Sequence, residues 1–283
     1  VCVASGLVGY NVYVLFGGSA EKELQVRTPP AAPLHGSKDR AADAVGDQTL
    51  RTLEEELVPI NDPIDLAVRL GQKENVPRKK PVQDRNRDVG DKETFWVSNV
   101  DTAENFRVDT SLAAKTDHAY FWVEEGVEYS QDDLDRLARE FEENIYPTNH
   151  EFFGTEWTPG VDDDPHLYII YARGLGGNVA GYFSSVDEYH PLAHEYSNAH
   201  ETFMLNADTI SLGENYTYSV LAHEFQHMIH WYGDRNEASW LNEGFSELAT
   251  LLNDYRFLGG FDYLYAQDPD LQLNDWPNDP SKT

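Results

Sequence analysis

The chain has 283 residues, a formal net charge of −29 and a mean hydropathy of −0.57. It is long enough for one large domain or two modest ones. The acidic excess argues against nucleic acid or an anionic membrane surface as a partner, because phosphate contacts need Lys and Arg. Cys2 is the only cysteine, which excludes a disulfide framework and thiol catalysis in the main part of the chain.

The charge separates two regions of the chain. Residues 1–92 hold 14 acidic and 13 basic side chains, whereas residues 93–283 hold 36 acidic and 8 basic ones. We therefore place a domain boundary after residue 92. An acidic surface with few lysines suits a saline habitat, calcium binding or solubility, and an ordinary solvated surface is the preferred interpretation.

The first 92 residues carry no catalytic motif. Residues 1–20 begin with the uncharged, largely apolar stretch Val1–Gly18, which we interpret as a signal-peptide remnant or a membrane anchor. A pair of strands in a globular domain is the alternative. The chain begins with Val, so we expect a segment before it, and we expect an exported, secreted or cell-surface protein.

Residues 21–92 are rich in Pro, Ala and charged side chains, which predicts a linker or a propeptide-like region. Helical apolar spacing predicts two short helices there, Gln48–Leu57 and Asp62–Leu70.

Residues 93–283 carry both strand and helix patterns, and we expect an α+β domain. Aromatic and β-branched runs predict strands at Thr94–Val97, His118–Val123, His166–Ala172 and Thr202–Ala207. Ser130 is expected to cap a helix that Pro147 ends.

Two segments between these elements read as loops. Residues 173–200 are predicted to form one long loop, with His190, His194 and His200 on its surface. The acidic turn Asp162–Asp164 has ligand types that suit Ca²⁺, but a solvated turn is the preferred interpretation.

The most informative motif is His-Glu-Phe-Gln-His at residues 223–227. Apolar neighbours predict a buried helix over about Tyr216–Trp231, and positions i and i+4 lie on one helix face. His223 and His227 can therefore offer two imidazoles to one metal ion. Glu224, about 100° round the helix, can reach a metal-bound water without binding the metal.

A second helix is predicted over Ser239–Asp254. Glu243 and Glu247 are four residues apart, so they share one face of it. One of them can ligate the metal while the other accepts a hydrogen bond from a ligating histidine.

HEFQH followed by WLNEGFSE resembles the gluzincin metallopeptidases. The longer string LAHEFQHMIHW…SWLNEGFSELA is most similar to bacterial secreted peptidases of the hyicolysin and jonesiase type, strongly over residues 219–251 and more weakly back to residue 93. The resemblance implies a thermolysin-like zincin lobe. Such a lobe has a twisted mixed sheet with an antiparallel edge strand, an active-site helix and a glutamate-bearing helix.

The resemblance also implies roles for individual residues. It implies that His223, His227 and Glu243 bind Zn²⁺ and that Glu247 supports a ligating histidine. It implies that Glu224 is the general base of a zinc-dependent endopeptidase, activating a zinc-bound water to hydrolyse peptide or protein substrates.

Two neighbouring peptidase groups fit less well. Metzincins need HExxHxxGxxH, but Ile229 and Gly233 stand at its glycine and last histidine, and His230 is expected near the helix C-terminus. Gluzincin aminopeptidases carry GxMEN upstream, and this chain has only Gly-Glu-Asn at 213–215. An aminopeptidase remains an alternative, as does a non-catalytic, zinc-stabilised adhesin module, against which the intact Glu224 argues.

Two further expectations concern substrate and transition state. Thr202–Ala207 matches the position of the gluzincin edge strand, along which a peptide would lie. The oxyanion donor of gluzincins follows the glutamate ligand, but Tyr255, Tyr263 and Tyr265 match no motif. We therefore expect a C-terminally incomplete domain, with that donor and a helical lobe beyond residue 283.

Overall fold

A computed structural model describes residues 62–71, 73–81 and 87–255, together with residue 51 and the backbone of residues 12–15. Apart from Arg51, these residues belong to one compact unit. The predicted helix Gln48–Leu57, except Arg51, lies outside the described residues, as do Tyr263, Tyr265 and most of Val1–Gly18.

The centre of the unit is a seven-stranded mixed sheet with strand order β1-β6-β7-β5-β4-β3-β2. Strands β4, β5 and β7 run parallel to one another, while β2, β3, β6 and β1 each pair antiparallel with a neighbour. The strands are β1 Val12–Leu15, β2 Lys92–Asn99, β3 Glu104–Lys115, β4 Ala119–Glu124, β5 Leu167–Ala172, β6 Gly181–Ser184 and β7 Thr202–Asn206. The predicted α+β class with a mixed sheet is confirmed.

Five α-helices complete the described part of the chain. They are α1 Pro63–Arg69, α2 Gln131–Glu140, α3 Tyr146–Phe153, α4 Asn215–Gly233 and α5 Ser239–Leu252. The Ser130 side chain accepts a hydrogen bond from Asp133 N at the start of α2, which confirms the predicted cap. No helix among the described residues is both long and apolar enough to cross a membrane.

The prediction that Pro147 ends the helix begun at Ser130 is wrong. A π-helical turn, Phe141–Ile145, follows α2, and Pro147 lies in the first turn of α3. Proline is tolerated there because the first N–H groups of a helix have no partner within it.

The core lies on both faces of the sheet. Every residue of β5 and β7 is buried, as expected for parallel strands covered on two sides. One face packs on α4 through residues such as Phe203 and Phe225. The other face is lined by aromatic side chains of the strands themselves. The sheet is curved, so that Ser98 N of β2 donates a hydrogen bond to the Tyr182 hydroxyl of β6 over 2.8 Å.

Three expectations about strands need correction. The predicted strand Thr202–Ala207 exists as β7, but it lies between β5 and β6 and is not an edge strand. The predicted loop 173–200 contains β6 and a 3₁₀ turn, Ser185–Glu188. Strand β3 was not predicted, because the polar Thr110 and the small Ala114 occupy buried positions and weaken its apolar alternation.

Candidate metal centre

Helix α4 brings the HEFQH motif into the interior. Residues 217–229 of this helix are all buried, and His223, Glu224 and His227 have no exposed surface. Helix α5 packs against α4 and contributes Glu243, which is 8% exposed. Buried imidazoles and carboxylates are costly without partners, so the arrangement calls for a positively charged ligand.

Three ligand atoms converge between the two helices. His223 Nε2 and His227 Nε2 are 3.0 Å apart, and Glu243 Oε2 lies 3.4 Å from the first and 3.6 Å from the second. Tetrahedral zinc bonds of 2.0–2.2 Å would separate such atoms by about 3.3–3.6 Å. Among the residues that the structure describes, this is the one group of three possible ligands whose atoms all lie within 4.8 Å of one another. Both separations that involve Glu243 fall in this range and the two imidazole nitrogens lie slightly closer, so the donor set suits Zn²⁺.

The second ring nitrogen of His227 is held by α5. His227 Nδ1 lies 3.0 Å from Asn242 Oδ1 and 2.9 Å from Ser246 Oγ, and the Ser246 hydroxyl donates to Gln226 Oε1 over 2.5 Å. With both oxygens acting as acceptors, Nδ1 carries the proton and Nε2 presents its lone pair to the metal position. The sequence interpretation missed Asn242 and Ser246, although both lie within the quoted string NEGFSE.

Glu247 lies on the far side of His223. Its Oε1 is 3.4 Å from His223 Nδ1, and its side chain is 27% exposed. This is the contact expected of a carboxylate that orients a ligating histidine. The role assigned to Glu247 stays a prediction.

Two of the three converging groups have shifted pKa values. Burial lowers the pKa of His227, which favours the neutral imidazole. Burial acts to raise the pKa of Glu243, but the two histidines outweigh it and hold that pKa well below its usual range. Metal ligands must be neutral imidazoles and ionised carboxylates, and these shifts favour both.

Glu224 lies near His223 and Glu243 and outside the group of possible metal ligands. Phe183 N donates to Glu224 Oε2 over 2.9 Å, while Oε1 accepts no hydrogen bond from the described residues. Burial raises the pKa of Glu224 to about 8; His223 acts to lower it and Glu243 to raise it. One carboxylate oxygen is thus fixed and the other is able to take a proton.

The contact with Phe183 places Glu224 at the outer edge of β6. Asn206 N donates to Ala180 O, so the backbone groups of Ala180 face β7. Because alternate residues of a strand direct these groups to opposite neighbours, Gly181 and Phe183 direct theirs to the outer edge. In this structure β1 lies along that edge, pairing Val12 with Ser184 and Leu15 with Gly181.

The histidines of residues 173–200 lie outside the group of possible metal ligands. His190 and His194 are partly exposed, but the surface location predicted for His200 is wrong. His200 is 4% exposed, with Nδ1 2.6 Å from Asp162 Oδ2 and Nε2 3.3 Å from Glu93 Oε1. Hydrogen bonds to these two acidic partners offset the free-energy cost of burying the His200 side chain.

The prediction that the acidic turn Asp162–Asp164 is solvated is wrong. Asp162 and Asp164 are buried, and Asp164 Oδ1 lies 2.6 Å from Nδ1 of His166. Since Asp162 pairs with His200, both buried carboxylates of the turn have histidine partners, and Asp163 pairs with Lys79. The Ca²⁺ suggested for this turn gains no support.

Two other residues of interest lie outside the metal centre. His230 falls in the last turn of α4, as predicted, and its carbonyl accepts from Asp234 N over 2.7 Å. Tyr255 donates its hydroxyl to Glu140 Oε1 over 2.7 Å. Of the three tyrosines that follow the second helix motif, Tyr255 is the one that the structure describes, and its hydroxyl is bonded to α2.

A comparison with known proteins agrees with this chemistry. The chain is 26% identical over 196 residues to "Neutral metalloprotease ShpI" of Staphylococcus hyicus. That match covers 65% of this chain and 42% of the relative, so the chain spans less than half the length of the protein it resembles. No family model matches. The chain is therefore distantly similar to a metalloprotease.

Proposed function

We propose that the protein is a zinc-dependent endopeptidase of the gluzincin type. The convergence of His223 Nε2, His227 Nε2 and Glu243 Oε2 on one point, with Glu224 beside them, is the observation that supports this most directly. The distant similarity to a neutral metalloprotease supports the peptidase class. Export from the cell belongs to the same proposal.

The side chains have distinct roles in this proposal. His223, His227 and Glu243 hold the ion, Asn242 and Ser246 fix the tautomer of His227, and three protein ligands leave a coordination position open. A bound Zn²⁺ supplies Lewis acidity and lowers the pKa of water towards 7.

Glu224 moves the proton in the proposed reaction. Phe183 N–H fixes its Oε2. Its Oε1 then accepts a proton from the attacking water and delivers it to the leaving amine. Burial excludes bulk water from this transfer, since Glu224 has no exposed surface.

The outer edge of β6 replaces β7 as the proposed binding edge for substrate. A peptide that pairs with Gly181 and with the carbonyl of Phe183, whose N–H is held by Glu224, would run beside Glu224 and hold its scissile bond near the metal position. Backbone pairing of this kind favours cleavage within a chain over release of its first residue. The pairing of β1 in this structure shows that the edge accepts an extended antiparallel strand.

Substrates with and without free ends test the proposal. We expect the zinc-loaded protein to cut a peptide acetylated at its N-terminus and amidated at its C-terminus, and to lose this activity on chelation. Cleavage only of peptides with a free N-terminal amine would identify an aminopeptidase. Zinc binding without cleavage of any peptide would identify a non-catalytic module.

A further inference from the structure

Helix α5 turns its polar side toward the interior of the protein. Five of its residues are buried, and none has a large apolar side chain: Asn242, Glu243, Ser246, Ala249 and Thr250. The large apolar side chains on its exposed side include Phe245, Leu248 and Leu251, which are 36%, 39% and 63% exposed. A helix is ordinarily held in a protein by burial of its apolar face. The position of α5 on α4 therefore depends on hydrogen bonds between buried polar groups.

A buried pair of asparagines holds the C-terminal end of α5. Asn253 caps the helix and is 2% exposed, and its Nδ2 donates to Asn149 Oδ1 of α3 and to Ala249 O, each over 2.8 Å. Asn149 has no exposed surface, and its own Nδ2 donates to Ala222 O of α4 over 2.9 Å. Ala222 directly precedes His223. Asn149 thus connects the helix that carries the two histidines to the helix that carries the glutamate.

The asparagine pair and the partners of His227 hold α5 at opposite ends. Asn242 and Ser246 contact His227 Nδ1 near the start of the helix. Asn253 lies about 10 Å further along the helix axis than Ser246, at 1.5 Å per residue. A helix fixed at one end only is able to tilt, and a tilt of α5 would move Glu243 Oε2 away from the histidine nitrogens, which lie 3.4 and 3.6 Å from it. Zinc sites tolerate deviations of only about 0.2 Å in their bond lengths.

We propose that Asn149 and Asn253 are positioning residues of the metal centre, which set the distance between Glu243 and the two histidines. Neither asparagine belongs to the group of possible metal ligands, so both act through the helices they join. This role depends on the proposed zinc site and extends it to α3 and to the end of α5, outside the HEFQH and NEGFSE motifs. The alternative is that the two asparagines stabilise the fold and leave the metal centre unchanged.

Metal binding by the whole chain carrying Asn149→Ala or Asn253→Ala tests this role. We expect zinc affinity, measured by chelator competition, to fall by on the order of tenfold in each variant, as for other residues that orient metal ligands. Because the two side chains share one hydrogen bond, the loss in the double variant should be smaller than the sum of the two single losses. The visible spectrum of the Co²⁺-substituted protein, which follows coordination geometry, should change in both variants.

The matched control is Asn206→Ala. Asn206 has no exposed surface, and its Nδ2 donates to the carbonyls of Gly176 and Val179, outside the metal centre. Its loss should lower the Tm of the zinc-free protein and leave the zinc affinity and the cobalt spectrum unchanged. Asn253→Ser keeps a polar side chain that is too short to reach Asn149, and it gives the same comparison if an alanine variant does not fold.

A lower Tm in both variants, with zinc affinity and cobalt spectrum equal to those of the unaltered protein, would assign the two asparagines a structural role and overturn the inference. Fully additive losses in the double variant would contradict their joint action. Absence of zinc binding by the unaltered protein would overturn the proposed function together with this inference. None of these readouts depends on peptidase activity.

Discussion

Phe183 N donates a hydrogen bond to Glu224 Oε2 over 2.9 Å, and this bond joins strand β6 to the middle of helix α4. It orients the carboxylate expected to act as the base. It also marks the edge of the sheet that faces the metal position. The metal site and the proposed peptide-binding edge are therefore parts of one arrangement.

Changing Asn242 should weaken metal binding without removing any ligand. In Asn242→Ala the acceptor of His227 Nδ1 is lost, so the imidazole is less well oriented and zinc affinity should fall by about 10–100-fold. Competition with a chromogenic chelator measures this affinity. Asn236→Ala, at an exposed position before α5, serves as the control and should bind zinc normally. Equal affinity of the two variants would remove Asn242 from the site.

Substitutions of Glu243 and Glu247 should have different effects on zinc affinity, measured by the same chelator competition. Glu243→Ala removes one of three ligands and should abolish stoichiometric zinc binding. Glu247→Ala removes only the carboxylate 3.4 Å from His223 Nδ1, so zinc should still bind, with affinity or activity reduced by about 10–100-fold. Full zinc retention in Glu243→Ala would show that another residue completes the site, and the gluzincin assignment would then be wrong.

The strand β1 should compete with peptide for the outer edge of β6. Tyr13 pairs with Phe183, whose backbone faces that edge, so the N–H of Tyr13 faces β6 and that of Val14 points away. Tyr13→Pro should therefore release the edge and lower KM for a peptide substrate, whereas Val14→Pro should leave KM nearer its original value. Equal KM values for the two variants and the unaltered protein would show that β1 does not cover the substrate edge.

The free energy of unfolding should fall as the pH rises from 6.5 to about 9. Burial acts to lower the pKa of His200, but its bonds to Asp162 and Glu93 outweigh this and raise the pKa from 6.5 to about 9. Between these values the folded state holds a proton that the unfolded state lacks, so the free energy of unfolding decreases by up to about 1.4 kcal/mol per pH unit. The stabilisation is complete below pH 6.5 and lost above pH 9.

Urea unfolding at a series of pH values measures this effect. The unaltered protein should lose stability over the window, and His200→Gln should lose that part of the slope. The charged groups that face His200 are Asp162 and Glu93, with Arg87 behind Glu93, and the buried Asp187 also interacts with it electrostatically. An unchanged slope in His200→Gln would mean that other groups carry the pH dependence.

The two histidines of the possible metal site could be anticipated from the sequence because their spacing follows helix geometry. The i, i+4 pair in HEFQH places His223 and His227 together wherever the helix lies. The resemblance then pointed to Glu243, and the structure brings it within 3.6 Å of both histidine nitrogens. Asn242 and Ser246 were missed because amide and hydroxyl partners have no distinctive residue type or spacing.

The order of the strands could not be anticipated in the same way. The apolar run in β7 predicts a buried strand, but its neighbours are set by long-range pairing with β5 and β6. Strand β6 has four residues and begins with a glycine, so its pattern is too short to distinguish it from a loop. His200 looked like a surface residue because its partners, Asp162 and Glu93, are far from it in sequence.

Turnover of a doubly blocked peptide by the unaltered protein and by Glu224→Gln, matched for zinc content, tests the central claim most directly. The account predicts internal cleavage by the unaltered protein and a loss of at least about 10²-fold in kcat in the variant, at equal zinc stoichiometry. Glu214→Gln, an exposed carboxylate at the start of α4, should keep full activity. If Glu224→Gln cleaves as fast as the unaltered protein, or loses its zinc, then Glu224 is not the general base and the account is contradicted.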